Sequence, residues 1–404
     1  MSNEESLDYL FSPKAIRERC VLVYEKVLSG KGLFKIDKEK IPECSEFVIG
    51  VIRENYPDLN IPFHSRLGHF QAGQFDRLKI LNERLENCDT LEKLRTYWDL
   101  IITSVLLDAG AGDKWSYFDP ISKDKFSRSE GLGIASLNLF LDGGLSDDKK
   151  NPLKVTAASL KRFNSSRLRK SFQVELHNPL NGLEGRANLL QKLGVVIEEN
   201  PKFFPGGRPG SLVDYLVENY GQRILAGDIL KTLSYSLGEI WPGRLTLKGR
   251  NLGDVWSSEL LGLKDSYESL VPFHKLAQWL TYSLIVPMFD AGIEVSGVHE
   301  LTGLPEYRNG GLLIDSGVLK VKDSSFFHKI HKPSDELVVE WRALTVILLD
   351  RIADEIRLEF GKSEEELPLA KILEGGTWHA GRKLAKEKRE GLPPLEIESD
   401  GTVF

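Results

Sequence analysis

Glu306, Tyr307, Arg308 and Asn309 place a carboxylate, a phenol, a guanidinium and an amide on four consecutive residues. Pro305 precedes them and Gly310-Gly311 follows. Proline fixes φ and disfavours helix in the residue before it, so a loop or a helix start is expected there. Such a place can hold polar groups towards a ligand, with the glycines leaving room for it, or it can be a plain surface turn.

A second candidate is Leu107-Asp108-Ala109-Gly110-Ala111-Gly112-Asp113-Lys114-Trp115. Its Gly-x-Gly follows a helical pattern and does not complete the dinucleotide fingerprint, so a nucleotide-cofactor fold is rejected. What remains is a glycine-rich bend in which Asp108 can meet a ligand and Trp115 can stack on one. A third is Pro272 to Ile285, which reads as a helix. Lys275, Gln278, Trp279 and Tyr282 share one face at spacings of three, four and seven, and His274 neighbours Gln278. That stripe can line a pocket or can be a set of polar core contacts with an exposed lysine. Arg208 stands in a Pro/Gly loop before a helix start, a place that suits an anion, or a surface ion pair.

Two histidine pairs are weaker signals. His64 and His69 are five apart, which is poor for joint metal ligation from one helix face, and His328-Lys329-Ile330-His331 lacks a third ligand. No metal and no cofactor are expected. Phosphate-loop, zinc-protease, nucleophile-elbow and kinase signatures are absent. Carboxylates, Lys/Arg, amides and loop Trp/Tyr suit a small polar ring-bearing ligand, such as a nucleoside or its phosphate. Trp378-His379 fits no pattern.

The elements that must position these groups are mostly helices. Ser12-Pro13 caps a helix over Lys14 to Leu28, with Ile16, Cys20, Val23, Tyr24 and Val27 on its apolar face. Helices are also expected over Ile41–Asn55, Asp76–Asn87, Thr90–Leu107, Asn181–Leu193, Ala226–Leu237 and Asp335–Ile356, with one capped by Ser127 or Ser129 and running through Phe140 and one capped by Ser211 and running through Asn219. Glu340 and Arg342 are embedded in the last and are expected to pair. The fold class is therefore mainly α, with at most a small β-hairpin. One large helical domain over residues 1–383 is expected, or two closely packed lobes, 1–144 and 175–383. Residues 145–174 form a basic insertion, either mobile or a solvated helical face, and 384–404 a charged C-terminal arm with little core.

Bulk properties narrow the function classes. A net charge of −6 gives no support for nucleic-acid binding. Three widely spaced cysteines indicate neither a disulfide framework nor a zinc site. The first residues lack a signal peptide's basic and apolar regions, and no apolar run approaches about 18 residues, so a soluble cytoplasmic protein is expected.

Gly303-Leu304-Pro305-Glu306-Tyr307-Arg308-Asn309-Gly310-Gly311, the Leu107–Trp115 bend and the Pro272–Tyr282 helix resemble the uracil catabolism protein 4 family of fungi and bacteria. The resemblance runs over nearly the whole chain. It implies a role in a uracil-degrading pathway that passes through a ribosylurea-type compound.

The order of features is also similar to the queuosine-phosphate N-glycosylase family. Lys275-Leu276-Ala277-Gln278, Leu301-Thr302, Glu306-Tyr307-Arg308, Gly317-Val318-Leu319 and Glu340-Trp341-Arg342-Ala343 follow its sequence of motifs. In that family the acid before Tyr-Arg is an aspartate, one methylene shorter than Glu306. This resemblance implies a helical architecture like that of base-excision glycosylases, and hydrolysis of an N-ribosidic bond.

On that basis the expected activity is N-ribosyl hydrolysis of a ribosylurea-type nucleoside or nucleotide. Glu306 is the expected acid, with Asp108 its rival; Tyr307 and Arg308 orient Glu306. Lys275, with Arg208, meets a 5′-phosphate. Gln278 bonds the leaving amide, with His274 beside it, and Trp115, Trp279 or Tyr282 covers the flat group. The competing expectation is a non-catalytic binding or scaffold partner of a uracil-modifying enzyme.

Overall fold

A computed structural model describes residues 3–241 and 245–398 of the chain. Residues 242–244, part of the Trp241–Arg244 loop cluster noted in the sequence, lie outside the described residues. So do 1–2 and 399–404, which include the end of the expected C-terminal arm.

The fold is mainly α, and its helices begin and end where side chains dictate. Ser12 accepts the N–H of Ala15 at 3.1 Å and opens the helix Pro13–Leu28. Ile16, Cys20, Val23, Tyr24 and Val27 are buried as the periodicity requires. That face and the helix Ile41–Asn55 both pack on the long helix Glu336–Phe360. Leu337 to Leu349 of the long helix are buried without interruption, as befits a helix surrounded by protein. A large apolar core runs from Ile16 to Leu395, and a smaller cluster gathers Leu10, Phe11, Leu252, Val255 and Leu270. Cys20, Cys44 and Cys88 are free thiols, the first two buried.

The small β content differs from the expected single hairpin. Among the described residues there are six two-stranded pairs. Three are local, such as Ser116–Phe118 with Lys125–Ser127. Three join distant segments: Phe34–Ile36 with Leu319–Val321, Arg223–Leu225 with Glu294–Ser296, and Ile330–His331 with Glu396–Ile397. Strands of two or three residues carry too little alternation to read.

One of these pairs moves a helix boundary. Leu270–Pro272 is a strand against Val255–Ser257, so the expected helix from Pro272 starts only at Lys275. His274 turns the chain at φ +46, and Asp254 accepts the Lys275 N–H at 3.0 Å. The same Asp254 carboxylate grips Arg342 of the long helix at 2.7 and 2.8 Å. Arg342 therefore does not pair with Glu340. Residues two apart on a helix point to different sides. Glu340 instead accepts backbone N–H groups of Leu33 and Phe34 at 2.8–2.9 Å, and burial pushes its carboxyl up to about 7.

Two segments expected at the periphery are built into the core. Residues 145–174 hold the short helices Ala157–Lys161 and Ser165–Ser171. Leu160, Phe163, Leu168 and Phe172 are fully buried there, while Lys161, Arg162, Arg167, Arg169 and Lys170 face outward. The helix Trp378–Arg389 lies against the helix Tyr307–Asp315, and the chain beyond it buries Leu395 completely.

Where those two helices cross, a Cβ at Gly381 would overlap the carbonyl oxygen of Arg308. Gly381→Ala is expected to lower the unfolding free energy by about 1–3 kcal/mol, from overpacking against backbone. In an open helix the same change stabilises by about 1 kcal/mol. Gly110, where a Cβ meets open space, is the control: its alanine variant stays within about 0.5 kcal/mol. Urea unfolding of the three proteins decides the sign.

Candidate functional site

Glu306 is the N-cap of the helix Tyr307–Asp315. One carboxylate oxygen accepts the N–H of Arg308 at 2.8 Å, the other that of Asn309 at 2.6 Å. The helix N-terminus favours the charge, and each oxygen keeps a lone pair for a ligand. Burial pushes the Glu306 carboxyl up, against the pull of these N–H groups and of Lys275. Burial pushes the Lys275 ammonium down, and Glu306 opposes that in turn. Each charge thus offsets part of the cost of burying the other. Arg308 orients Glu306 through its backbone. Its side chain reaches the Gly391 carbonyl at 3.0 Å and covers the Tyr307 ring.

Glu306, Tyr307 and Arg308 line a cavity of about 420 Å³ together with Asp108, Lys275 and Trp279. These come from three stretches far apart in sequence. The Asp108–Asp113 bend supplies backbone and small side chains to the wall. Asp108 accepts from Arg66 at 2.8 Å and from the Ser129 hydroxyl at 3.1 Å. Arg66 is fully buried, also donates to the Ser104 hydroxyl at 2.7 Å, and lies over the Trp279 ring. A second buried arginine, Arg186, clasps the carbonyls of Leu107 at 2.9 Å and Ala109 at 2.6 Å, which fixes the bend. Burial, with the nearby Arg66 charge, pushes Arg186 down to about 10, and Asp108 opposes this.

Five expected site residues serve elsewhere. Gln278 accepts the N–H of Thr302 at 2.9 Å and donates to its hydroxyl at 2.7 Å and to the Phe273 carbonyl at 3.1 Å. Tyr282 donates to the Thr302 carbonyl at 2.9 Å. The apparent single stripe is therefore two rows: Lys275 and Trp279 face the cavity, and Gln278 and Tyr282 bind the loop that leads to Glu306. His274 is buried against the Leu10 carbonyl at 2.9 Å. Trp115 donates to the Phe172 carbonyl at 2.9 Å and stacks on that ring. Arg208 is locked to the buried Asp99 and to Glu92. The glycines after Asn309 also differ from expectation. Gly310 meets Trp341 and Gly311 meets Pro394, so they admit packing and not a ligand.

Sequence reasoning misses other lining groups: His64, His69, Arg128, Ser129, Trp378 and the segment Gly391 to Ile397. The histidines are visible in the sequence, but their spacing speaks only to joint metal ligation. They have separate partners: His64 Nδ1 lies 2.7 Å from Glu374, and His69 Nδ1 lies 3.1 Å from Arg66. Arg66 can only donate, so His69 accepts through Nδ1 and carries its proton on Nε2. Among the described residues no cluster of three His, Cys, Asp or Glu side chains could hold a metal ion, and no helix is long and apolar enough to cross a membrane.

Comparison with known proteins gives consistent matches. The family model described as "Protein of unknown function (DUF1688)" matches residues 9–404. The chain is 37% identical over 442 residues to "Uracil catabolism protein 4" of Lachancea kluyveri, covering the whole of both chains. It is 39% identical over 413 residues to "Protein urg3" of Schizosaccharomyces pombe, covering 99% of each.

Burial and the Arg66 charge push His69 down from 6.5 to about 4, with Asp108 and Glu130 opposing. Between those values the unfolded chain binds the proton and the folded chain does not. Stability is thus lost as pH falls from about 6.5 to about 4, with a slope approaching 1.4 kcal/mol per pH unit for one group. Urea midpoints of wild type and His69→Gln across that range test this. The variant's stability is expected to fall less steeply with acid.

Proposed function

The chain belongs to the DUF1688 family, and from that premise we propose that it acts in uracil catabolism by hydrolysing the N-ribosidic bond of a ribosylurea-type nucleoside or nucleotide. The observation that carries this reading is the meeting of Glu306, Asp108 and Lys275 on one cavity with Trp279 and Trp378. Its size is that of a small-molecule site.

Breaking a C1′–N bond builds positive charge on the ribose and calls for a water at C1′. Asp108 is poorly suited to meet that charge, because Arg66 already offsets it. Glu306 is better suited. It is rigidly held, and its raised proton affinity lets it take the water's proton. Lys275 and the neighbouring Arg308 and Arg128 give a 5′-phosphate its counter-charge, in place of the distant Arg208. Trp279 and Trp378 cover the leaving group. Gln278 is committed to Thr302 and Phe273 and takes no part in binding it.

A second reading is a binding protein of the same pathway. It draws on one observation: every oxygen of Glu306 and Asp108 already accepts a protein donor, as structural caps do.

Purified wild type and Glu306→Gln, assayed on ribosylurea and its 5′-phosphate for released ribose or ribose phosphate, separate these readings. The variant is expected to lose about 10²–10⁴-fold in kcat. The weaker cap costs it about 1 kcal/mol of stability. Retained turnover in a folded variant removes Glu306 from catalysis, and binding without turnover by the wild type favours the second reading. Lys275→Met is expected to raise KM about tenfold or more for the phosphorylated compound only, as loss of a charge-assisted contact.

A further inference from the structure

His64 lines the same cavity as Glu306, and its Nδ1 lies 2.7 Å from Glu374, 310 residues away. The pair is well shielded, with side-chain exposures of 9% and 21%. Burial would raise the Glu374 carboxyl, but the hydrogen bond and charge of His64 outweigh it and hold it below the usual range. An ionised carboxylate only accepts, so Nδ1 carries the hydrogen, and Nε2 is left for whatever occupies the cavity.

The local backbone is shaped to make this contact. Glu374 lies in a π-helical turn, Leu373–Thr377, between the helices Leu369–Ile372 and Trp378–Arg389. Such wide turns are rare and recur at functional sites, where they re-aim a side chain. Gly375 and Gly376 follow Glu374 because a Cβ on either would press into Ile61, Val48 or Ile52. The His64 N–H is tied to the Ala370 carbonyl at 2.8 Å. Its ring lies between the cavity tryptophans, with centroids 6.2 Å from Trp279 and 5.9 Å from Trp378. His69, five residues on, is held neutral beside Arg66 and cannot serve as a proton donor of this kind.

We propose that His64, oriented by Glu374, donates the proton that the leaving nitrogen requires when the N-ribosidic bond breaks. The proposal rests on the hydrolase reading. The C1′–N bond breaks with its electron pair going to nitrogen, which takes the Nε2 proton of the doubly protonated His64 ring and leaves the Nδ1–H form that Glu374 holds. The water oxygen bonds C1′, and its proton goes to Glu306. Proton exchange with solvent then restores both groups, so one water is consumed and no other reagent is needed. His64 is catalytic in this scheme, and Glu374 is a positioning residue.

The test compares two ribosides on wild type, His64→Gln and Glu374→Gln. Ribosylurea needs its leaving nitrogen protonated, whereas p-nitrophenyl riboside releases a stable anion. His64→Gln is expected to lose about 10²–10³-fold in kcat on ribosylurea and to stay within about threefold on the p-nitrophenyl compound. Glu374→Gln is expected to show the same split with a smaller loss, and it carries the comparison if His64→Gln does not fold. Equal losses on both substrates overturn the donor role while leaving the hydrolase reading intact. A wild type that cleaves neither compound sinks both. Histidine nitrogen NMR of the free protein at mildly alkaline pH gives a readout apart from turnover. His64 protonated on Nδ1 with a bare Nε2 is expected, and the opposite tautomer overturns the assigned orientation.

Discussion

The Asp254–Arg342 ion pair sets the geometry on which the site depends. Two parallel N–H···O bonds of 2.7 and 2.8 Å join the carboxylate to the long helix. The carboxylate oxygens also accept the Trp256 indole N–H at 2.7 Å and the Lys275 backbone N–H at 3.0 Å. Arg342 donates in addition to the Pro305 carbonyl at 3.2 Å and lies over the Phe273 ring at 4.1 Å. Lys275 and Glu306 are thus referred to one pair of charges. Burial alone would make Asp254 a poor anion, yet Arg342 holds its carboxyl well below the usual range. Losing either partner of such a buried pair costs about 3–5 kcal/mol, because the other charge stays behind.

Around this pair, much of the polar chemistry positions the site and does not touch its contents. Gln278 and Tyr282 hold Thr302, from which the chain runs four residues to Glu306. Arg186 holds the bend after Leu107 by its carbonyls, and Arg66 turns Asp108 into place. Each has a buried hydrogen-bonding capacity that is costly to leave unmet, so each fixes backbone as firmly as it fixes itself.

What was legible in the sequence follows from range. The helices Pro13–Leu28, Ile41–Asn55 and Ala226–Leu237 have the bounds that a proline, a cap or a periodic face demands locally. Of the cavity's groups, Glu306 and Asp108 were legible as polar residues beside turn residues, and Lys275 and Trp279 as part of a polar and aromatic stripe on a helix face. Long-range partners were not. Glu340 and Arg342 look like a pair in sequence, yet one binds the Leu33 and Phe34 N–H groups and the other Asp254. Nothing in Pro62 to Phe70 points to Glu374, and two-residue strands such as Ile330–His331 have no pattern to find. Helical spacing alone also could not tell which of two adjacent rows on the Lys275 helix faced the cavity.

The cavity wall spans the chain from His64 to Ile397. Gly391 is pinned by Arg308, and Glu396–Ile397 is zipped to Ile330–His331. A growing polypeptide can assemble the long helix and its neighbours while the residues that complete the wall are still inside the ribosome. Such a chain would carry Glu306 and His64 in a trough open to water. The compartment is therefore walled on this side only once residues 391–397 have emerged and docked, so its closure is among the last steps of folding.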